Sequence, residues 1–272
     1  MSTSGSSAGN GVLYIGVSTK MYLGYQASLR WLSEVRSIVD DRPGLGTGSV
    51  KDAPVRVFVI PSFPVLEPAA RILAGSPVLL GAQNCAWGDG ALTGEVSPGM
   101  LAELGVSLVE IGHAERRKLF GEDDSVVARK VRAAVGHSLT PLLCIGEPDR
   151  LDAVAAAAFC VAQVQAATDG DPALLSRLVL AYEPVWAIGA QEPAPPEHIN
   201  AVLAQILAEL GPGCPLIYGG SAGPGLLPRL PAADGLFLGR FAHDAANLGR
   251  VLDEALLLRQ TDAPASSSSS RS

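Results

Sequence analysis

The chain has 272 residues, 48% of them apolar and 17% charged, with a formal net charge of −7. Its length suits one or two domains. The acidic balance argues against a nucleic-acid partner, which needs a clustered basic face, but not against a small anion held by backbone N–H groups.

The first ten residues, Met1–Asn10, are Ser/Gly-rich and lack the basic-then-apolar order of a secretory signal. They read as a disordered tail, as does 261–272 with its run of serines. Between them, a domain over 11–260 is expected. Short apolar runs begin at Val12 (VLYIGV), Val55 (VRVFVI), Val78 (VLLGAQ) and Ser107 (SLVEIG). Four more follow at Thr140 (TPLLCIG), Arg177 (RLVLAYEP), Pro215 (PLIYGGS) and Gly235 (GLFLGR). Most are nearly continuous in apolar residues, as strands buried on both faces require. Helical patterns lie between them: a stretch opened by Ser125 as N-cap, an Ala-rich stretch over 151–167, then 198–210 and 243–258. Eight strands alternating with helices predict an α/β fold, a parallel sheet closed into a (β/α)8 barrel. An open doubly wound sheet is the alternative, and the first strand lacks the G-x-G-x-x-G of its dinucleotide-binding form. The runs fall short of the roughly 20 residues that span a membrane. Cys85, Cys144, Cys160 and Cys214 form no C-x-x-C pair or metal-ligand spacing and read as small buried hydrophobes. A soluble, cytoplasmic protein is expected, with no membrane partner.

Several strands end in a Gly or in a polar residue that an apolar run does not explain: Lys20, Asn84, His113, Glu183, Ser221 and Arg240. In such barrels the site lies at the C-terminal strand ends, so residues far apart in sequence converge there. Glu183, in AYEPVWAIG, would be a stronger base wherever water is excluded. His113, at a strand end that opens a helical turn, would feel the helix N-terminus and stay neutral. Lys20 could stabilise developing negative charge. The Gly-rich turns at Tyr218–Gly223 and Leu238–Arg240 follow the last two strands, the usual phosphate site of such barrels. Taken singly, each of these also reads as an ordinary solvated or structural residue. His137, His198 and His243 lie in helical or turn contexts and read as surface residues.

As a set, GAQNC, LTGEVSP, GHAERR, LFGE, CIGE, AYEPVWAIG and YGGS resemble the triosephosphate isomerase family, in its order and over nearly the whole chain between the tails. The resemblance implies an aldose–ketose isomerase acting through an enediolate, with Glu183 as base, His113 as electrophile and Lys20 as cationic stabiliser. The pairing of Glu with neutral His is that family's established mechanism. Ser18 would stand beside the substrate, and Gly189, Ser221, Gly239 and Arg240 would bind its phosphate. No metal and no organic cofactor is implied. Residues 184–194 resemble the family's closing lid, with Glu147–Trp186 and Tyr218 as latches and Ile188 pressing on Glu183. Glu115 would pair with Lys20, and Arg117 would join a structural ion pair. The loop Asn84–Gly94 resembles the segment through which the family forms homodimers, with Thr93 approaching the other chain.

The departures cluster near the substrate. The family's first-strand Asn-Trp-Lys-Met-Asn reads Ser18-Thr19-Lys20-Met21-Tyr22; its Ser after the catalytic His is Ala114, and a Gly-Gly pair is Gly239-Arg240. Arg240 adds a charged fork near the phosphate or narrows the mouth, and Pro193 stiffens the lid's far hinge. Three readings stay open: interconversion of dihydroxyacetone phosphate and glyceraldehyde 3-phosphate, the same chemistry on a longer keto-phosphate such as erythrulose phosphate, or a phosphosugar-binding barrel without catalysis.

Overall fold

The eight apolar runs form eight strands in the computed structural model, which describes residues 11–45, 53–190 and 192–262. In chain order come β1 (Leu13–Ser18), α1 (Tyr25–Asp40), β2 (Val55–Ile60), α2 (Leu66–Ile72), β3 (Leu79–Ala82) and α3 (Pro98–Glu103). Next are β4 (Leu108–Ile111), α4 (Ala114–Phe120), α5 (Asp124–Gly136), β5 (Thr140–Ile145), α6 (Ala153–Thr168) and α7 (Pro172–Leu175). Last are β6 (Val179–Tyr182), α8 (Pro196–Leu210), β7 (Leu216–Tyr218), β8 (Gly235–Leu238) and α9 (Ala245–Asp262). Each strand pairs parallel with the next and β8 returns to β1, so the sheet is a closed barrel. The open-sheet alternative is excluded.

Strand parity sorts the side chains. Outward residues such as Ile15, Val17, Val57, Val59, Ile111 and Leu143 join one large cluster with the helices. Inward residues form a second cluster: Phe58, Ile60, Leu108, Leu142, Cys144, Val179, Ala181, Ile217 and Phe237. Near-continuous apolar runs are the consequence of having both faces buried. Each large aliphatic buried in these layers contributes about 1.5–3 kcal/mol relative to exposure. Gly16 belongs to the inward set, and a Cβ there would lie 1.9 Å from the Phe58 ring. The ring fills the barrel centre because that position carries no side chain.

Several local expectations shift. Asp123, not Ser125, caps α5: its carboxylate accepts the Val126 amide at 2.9 Å and the Ser125 hydroxyl at 2.7 Å. α9 runs to Asp262, so Thr261 and Asp262 are helical rather than tail. The tail reading of 1–10 and of 263–272 lies outside the described residues. All four cysteines are buried and unbridged. No described helix is long and apolar enough to cross a membrane.

Candidate active site

The strand ends open into one cavity of about 880 Å³ at the C-terminal mouth. Its lining includes Ser18, Lys20, His113, Glu183, Gly189, Ser221, Gly239 and Arg240, all the residues that the resemblance assigns to catalysis or to substrate and phosphate binding. Glu183 leaves β6 with its amide still bonded to the Ile145 carbonyl at 2.8 Å, so the barrel ladder sets its position. Its carboxylate lies against Gly219, where a Cβ would come within 2.6 Å of it. At Gly220 a Cβ would sit 2.1 Å from the Tyr218 hydroxyl. The two glycines thus make room for Glu183 and Tyr218, a demand separate from anion binding.

Glu183 and His113 are both about 95% buried, and Oε2 of Glu183 lies 3.4 Å from Nε2 of His113. Burial, and then the charge of Glu110, push the Glu183 carboxyl up to about 8; Lys20 and the Cys144 thiol act the other way. His113 caps α4, and its Nδ1 accepts the Glu115 amide at 3.1 Å. An Nδ1 that accepts carries no proton, so the proton of the neutral ring is on Nε2, the atom facing Glu183. Burial and the nearby Lys20 hold the imidazole down at about 4, and the ring is neutral at physiological pH. Ile188, Phe237 and Leu238 line the same cavity and help exclude water from the pair.

Lys20 sits two residues beyond β1 in left-handed backbone, φ 46°. That conformation costs a non-glycine residue of order 1–3 kcal/mol. Gln83 holds it in place by donating to the Lys20 carbonyl at 2.8 Å. The ammonium meets Glu115 at 2.6 Å; burial lowers its pKa, but Glu115, with Glu183 and Glu110, outweighs that and the net shift is upward. Arg117 pairs with Asp124 at 2.6 Å.

The 184–194 segment is tied at both ends. Trp186 donates to Glu147 at 2.7 Å, and the Ala194 amide donates to the Tyr218 hydroxyl at 3.2 Å. Ser221 donates to the Ala190 carbonyl at 2.8 Å, and Arg240 reaches the Gly189 carbonyl at 3.4 Å. Arg240 also lies over the Tyr22 ring, 5.8 Å from its centroid. The Arg narrows the mouth by joining the first, sixth and eighth strand-end loops.

Three expectations are corrected and one group was missed. Asn84 lies two residues beyond β3, but its side chain is taken up by buried Lys130 at 2.8 Å, away from the cavity. His243 is not a surface residue: it lines the mouth, 3.4 Å from the Ser18 carbonyl and 5.6 Å from the Tyr22 ring. His198 is also largely covered, against Trp186 and 4.0 Å from Glu147. The missed group is Glu110, on the inward face of β4, 4% exposed and accepting the Ser18 hydroxyl at 3.0 Å. Burial pushes its carboxyl up to about 7. Parity with Leu108 was the available signal.

A closed parallel barrel whose mouth gathers a buried carboxylate, a neutral imidazole and an ammonium defines an isomerase that shifts a carbonyl along a small phosphosugar. The triosephosphate isomerase family model matches residues 13–255. The chain is 48% identical to an L-erythrulose-1-phosphate isomerase from Pectobacterium atrosepticum, over 90% of this chain and 96% of that one. It is 39% identical to a triosephosphate isomerase from a Roseiflexus species, over 86% of this chain and 96% of the relative. The crystal structure of triosephosphate isomerase from Bartonella henselae superposes with a TM-score of 0.73 at 29% identity, covering 89% and 98% of the two chains. The chain therefore belongs to the triosephosphate isomerase family.

Proposed function

We propose that this isomerase acts on a four-carbon ketose 1-phosphate, with L-erythrulose 1-phosphate as the substrate of choice. The observation that carries the chemistry is the 3.4 Å approach of the Glu183 carboxylate to Nε2 of a neutral His113 beside an ammonium. Glu183 removes the proton from C3, the carbon beside the carbonyl on the side away from the phosphate. The C3–H electron pair becomes the C2–C3 double bond of an enediolate, and the charge settles on the C2 oxygen. His113 donates from Nε2 to that oxygen and takes up the proton of the C3 hydroxyl. Glu183 then returns its proton to C2, leaving the carbonyl at C3. Lys20 stabilises the enediolate charge. Gly189, Ser221, Gly239 and Arg240 hold the phosphate, and the lid keeps water out so that the enediolate does not expel it.

The choice of a four-carbon substrate is supported by the higher identity to the erythrulose-phosphate relative and by three departures: Ser18 and Arg240, which line the cavity, and Ala114, the residue after His113. The second reading is the three-carbon pair dihydroxyacetone phosphate and glyceraldehyde 3-phosphate, for which the same steps apply with a hydrogen in place of the C4 hydroxymethyl group. Initial rates on both substrates with the purified chain decide. A larger kcat/KM for L-erythrulose 1-phosphate supports the first reading, and a larger value for dihydroxyacetone phosphate overturns it.

The assembly is a homodimer through Asn84–Gly94. This is supported by the mostly exposed course of 87–95 and by Met21, 88% exposed beside Lys20, as an apolar landing point for a neighbouring chain. A cytoplasmic location is supported by the buried, unbridged thiols.

A further inference from the structure

Glu110 is the anomaly of the barrel interior. The inward positions around it are apolar: Leu108 on its own strand, Ile60 on β2, Leu142 and Cys144 on β5. A carboxyl in such a layer is costly unless it is paired. Among the described residues no cation forms a hydrogen bond or ion pair with it. Its hydrogen-bond partner is the Ser18 hydroxyl, reached from β1, which is not a neighbour of β4 in the sheet. The pair therefore bridges the barrel interior and forms part of the floor of the mouth, sharing its lining with Lys20, His113 and Glu183. Burying an acid among apolar side chains costs the fold stability, so the cavity that Glu110 lines accounts for it better than packing does.

The mouth has a direction. The groups assigned to the phosphate leave β6, β7 and β8, whereas Lys20 and His113 leave β1 and β4. A ketose 1-phosphate laid across this mouth has its phosphate on the first side and its carbon chain running toward the second. In a triose the chain ends at the reacting carbon. In a tetrulose that carbon carries one more group, a hydroxymethyl, which extends toward the strands that bear Ser18 and Glu110.

We propose that Ser18 and Glu110 form the subsite that receives the terminal hydroxyl of a four-carbon substrate and so set the chain-length preference of the enzyme. The inference rests on the substrate reading above. A carboxyl held near neutrality by burial offers both an O–H donor and an acceptor, the two functions a substrate hydroxyl needs. A site built to bond a hydroxyl discriminates strongly against a substrate lacking it, because its buried polar groups are left unpaired.

The test compares wild type with Glu110→Leu, Glu110→Gln and Ser18→Ala on L-erythrulose 1-phosphate and dihydroxyacetone phosphate. Binding of the non-reacting erythritol 4-phosphate and glycerol 3-phosphate is measured in parallel. The expected result is a fall of about 10- to 100-fold in the four-carbon to three-carbon ratio of kcat/KM for Glu110→Leu. A matching fall in the ratio of the two polyol affinities is expected, with Glu110→Gln in between. Equal losses on both substrates, with a moved acid limb of the pH profile, would mean that Glu110 acts only by tuning Glu183; that result overturns the subsite. An unchanged ratio overturns it as well. The wild-type ratio judges the choice of substrate, while the change of ratio and the polyol binding judge the subsite, so the two can fail separately.

Discussion

The backbone amide of Glu115 donates to Nδ1 of His113 at 3.1 Å, and this single bond fixes which ring nitrogen faces the cavity with a proton. It arises because His113 is at once the residue after β4 and the cap of α4. The proposed electrophile is thereby a neutral N–H rather than an imidazolium, whose stronger acidity would trap an enediolate as the enediol. With the ring held at about 4 by burial and Lys20, the His113 signals in a 15N NMR titration should stay in the neutral form from pH 8 down to about 5. A midpoint near the ordinary value of about 6.5 would contradict this. Replacement by Gln should cost about 100- to 10,000-fold in kcat, the range for a positioned acid–base group.

Glu183 has the opposite perturbation. Its carboxyl, raised to about 8, is mostly protonated in the free enzyme at pH 7. On the proposed mechanism the base form is the active one, so kcat/KM should rise with pH up to about 8. The same shift bears on stability. The folded chain binds more protons than the unfolded chain between about 4.5 and 8, so this group's contribution is full at low pH and declines as pH rises through that window. Glu183→Gln should therefore raise the thermal midpoint relative to wild type more at pH 8 than at pH 5. A pH-independent difference in melting temperature would count against a buried, proton-binding Glu183.

Lys20 is tested through its partner as well as directly. Lys20→Met should lower kcat/KM about 100- to 1,000-fold, as loss of one preorganised charge stabiliser does. Glu115→Gln removes the 2.6 Å ion pair but keeps the ammonium and the amide that bonds His113. Because Glu115 is half exposed, the pair itself is worth little. The substitution should cost no more than about tenfold in activity. Steady-state rates of the two variants on the same substrate check both values; a comparable loss in both would assign the ammonium a structural role.

The contacts of the proposed lid can be tested separately. Arg240→Gly removes the reach to the Gly189 carbonyl and a guanidinium beside the cavity. A phosphate-bearing inhibitor such as 2-phosphoglycolate should bind about tenfold more weakly, the loss of one charge-assisted contact. Tyr218→Phe deletes only the bond to the Ala194 amide and should lower kcat while leaving the stability of the barrel within about 1 kcal/mol. Inhibition constants and thermal melts check the pair.

The barrel was legible because both faces of each strand are buried, which makes most strands nearly continuous apolar runs followed by a glycine or a polar residue. VRVFVI at 55–60 became β2 without adjustment. Glu183, His113 and Lys20 stood out by the same logic. Glu110 did not, since it lies inside the run SLVEIG rather than after it, and only its closure against Ser18 on a distant strand reveals what it does. Asn84 misled for the converse reason: a polar strand end is also what a buried Lys130 recruits. His243 was hidden by its helical neighbourhood, because the turn of Arg240–His243 before α9 folds it back over β1.

The central claim is that Glu183 moves a carbon-bound proton, and isotope exchange tests it most directly. Substrate is incubated in heavy water with wild type and with Glu183→Gln, and deuterium at the carbon beside the carbonyl is followed by NMR. Deuterium should enter with the wild-type chain and stay at the uncatalysed background with the variant. Exchange that persists in Glu183→Gln, or a wild-type chain that binds the substrate without any exchange, would contradict it.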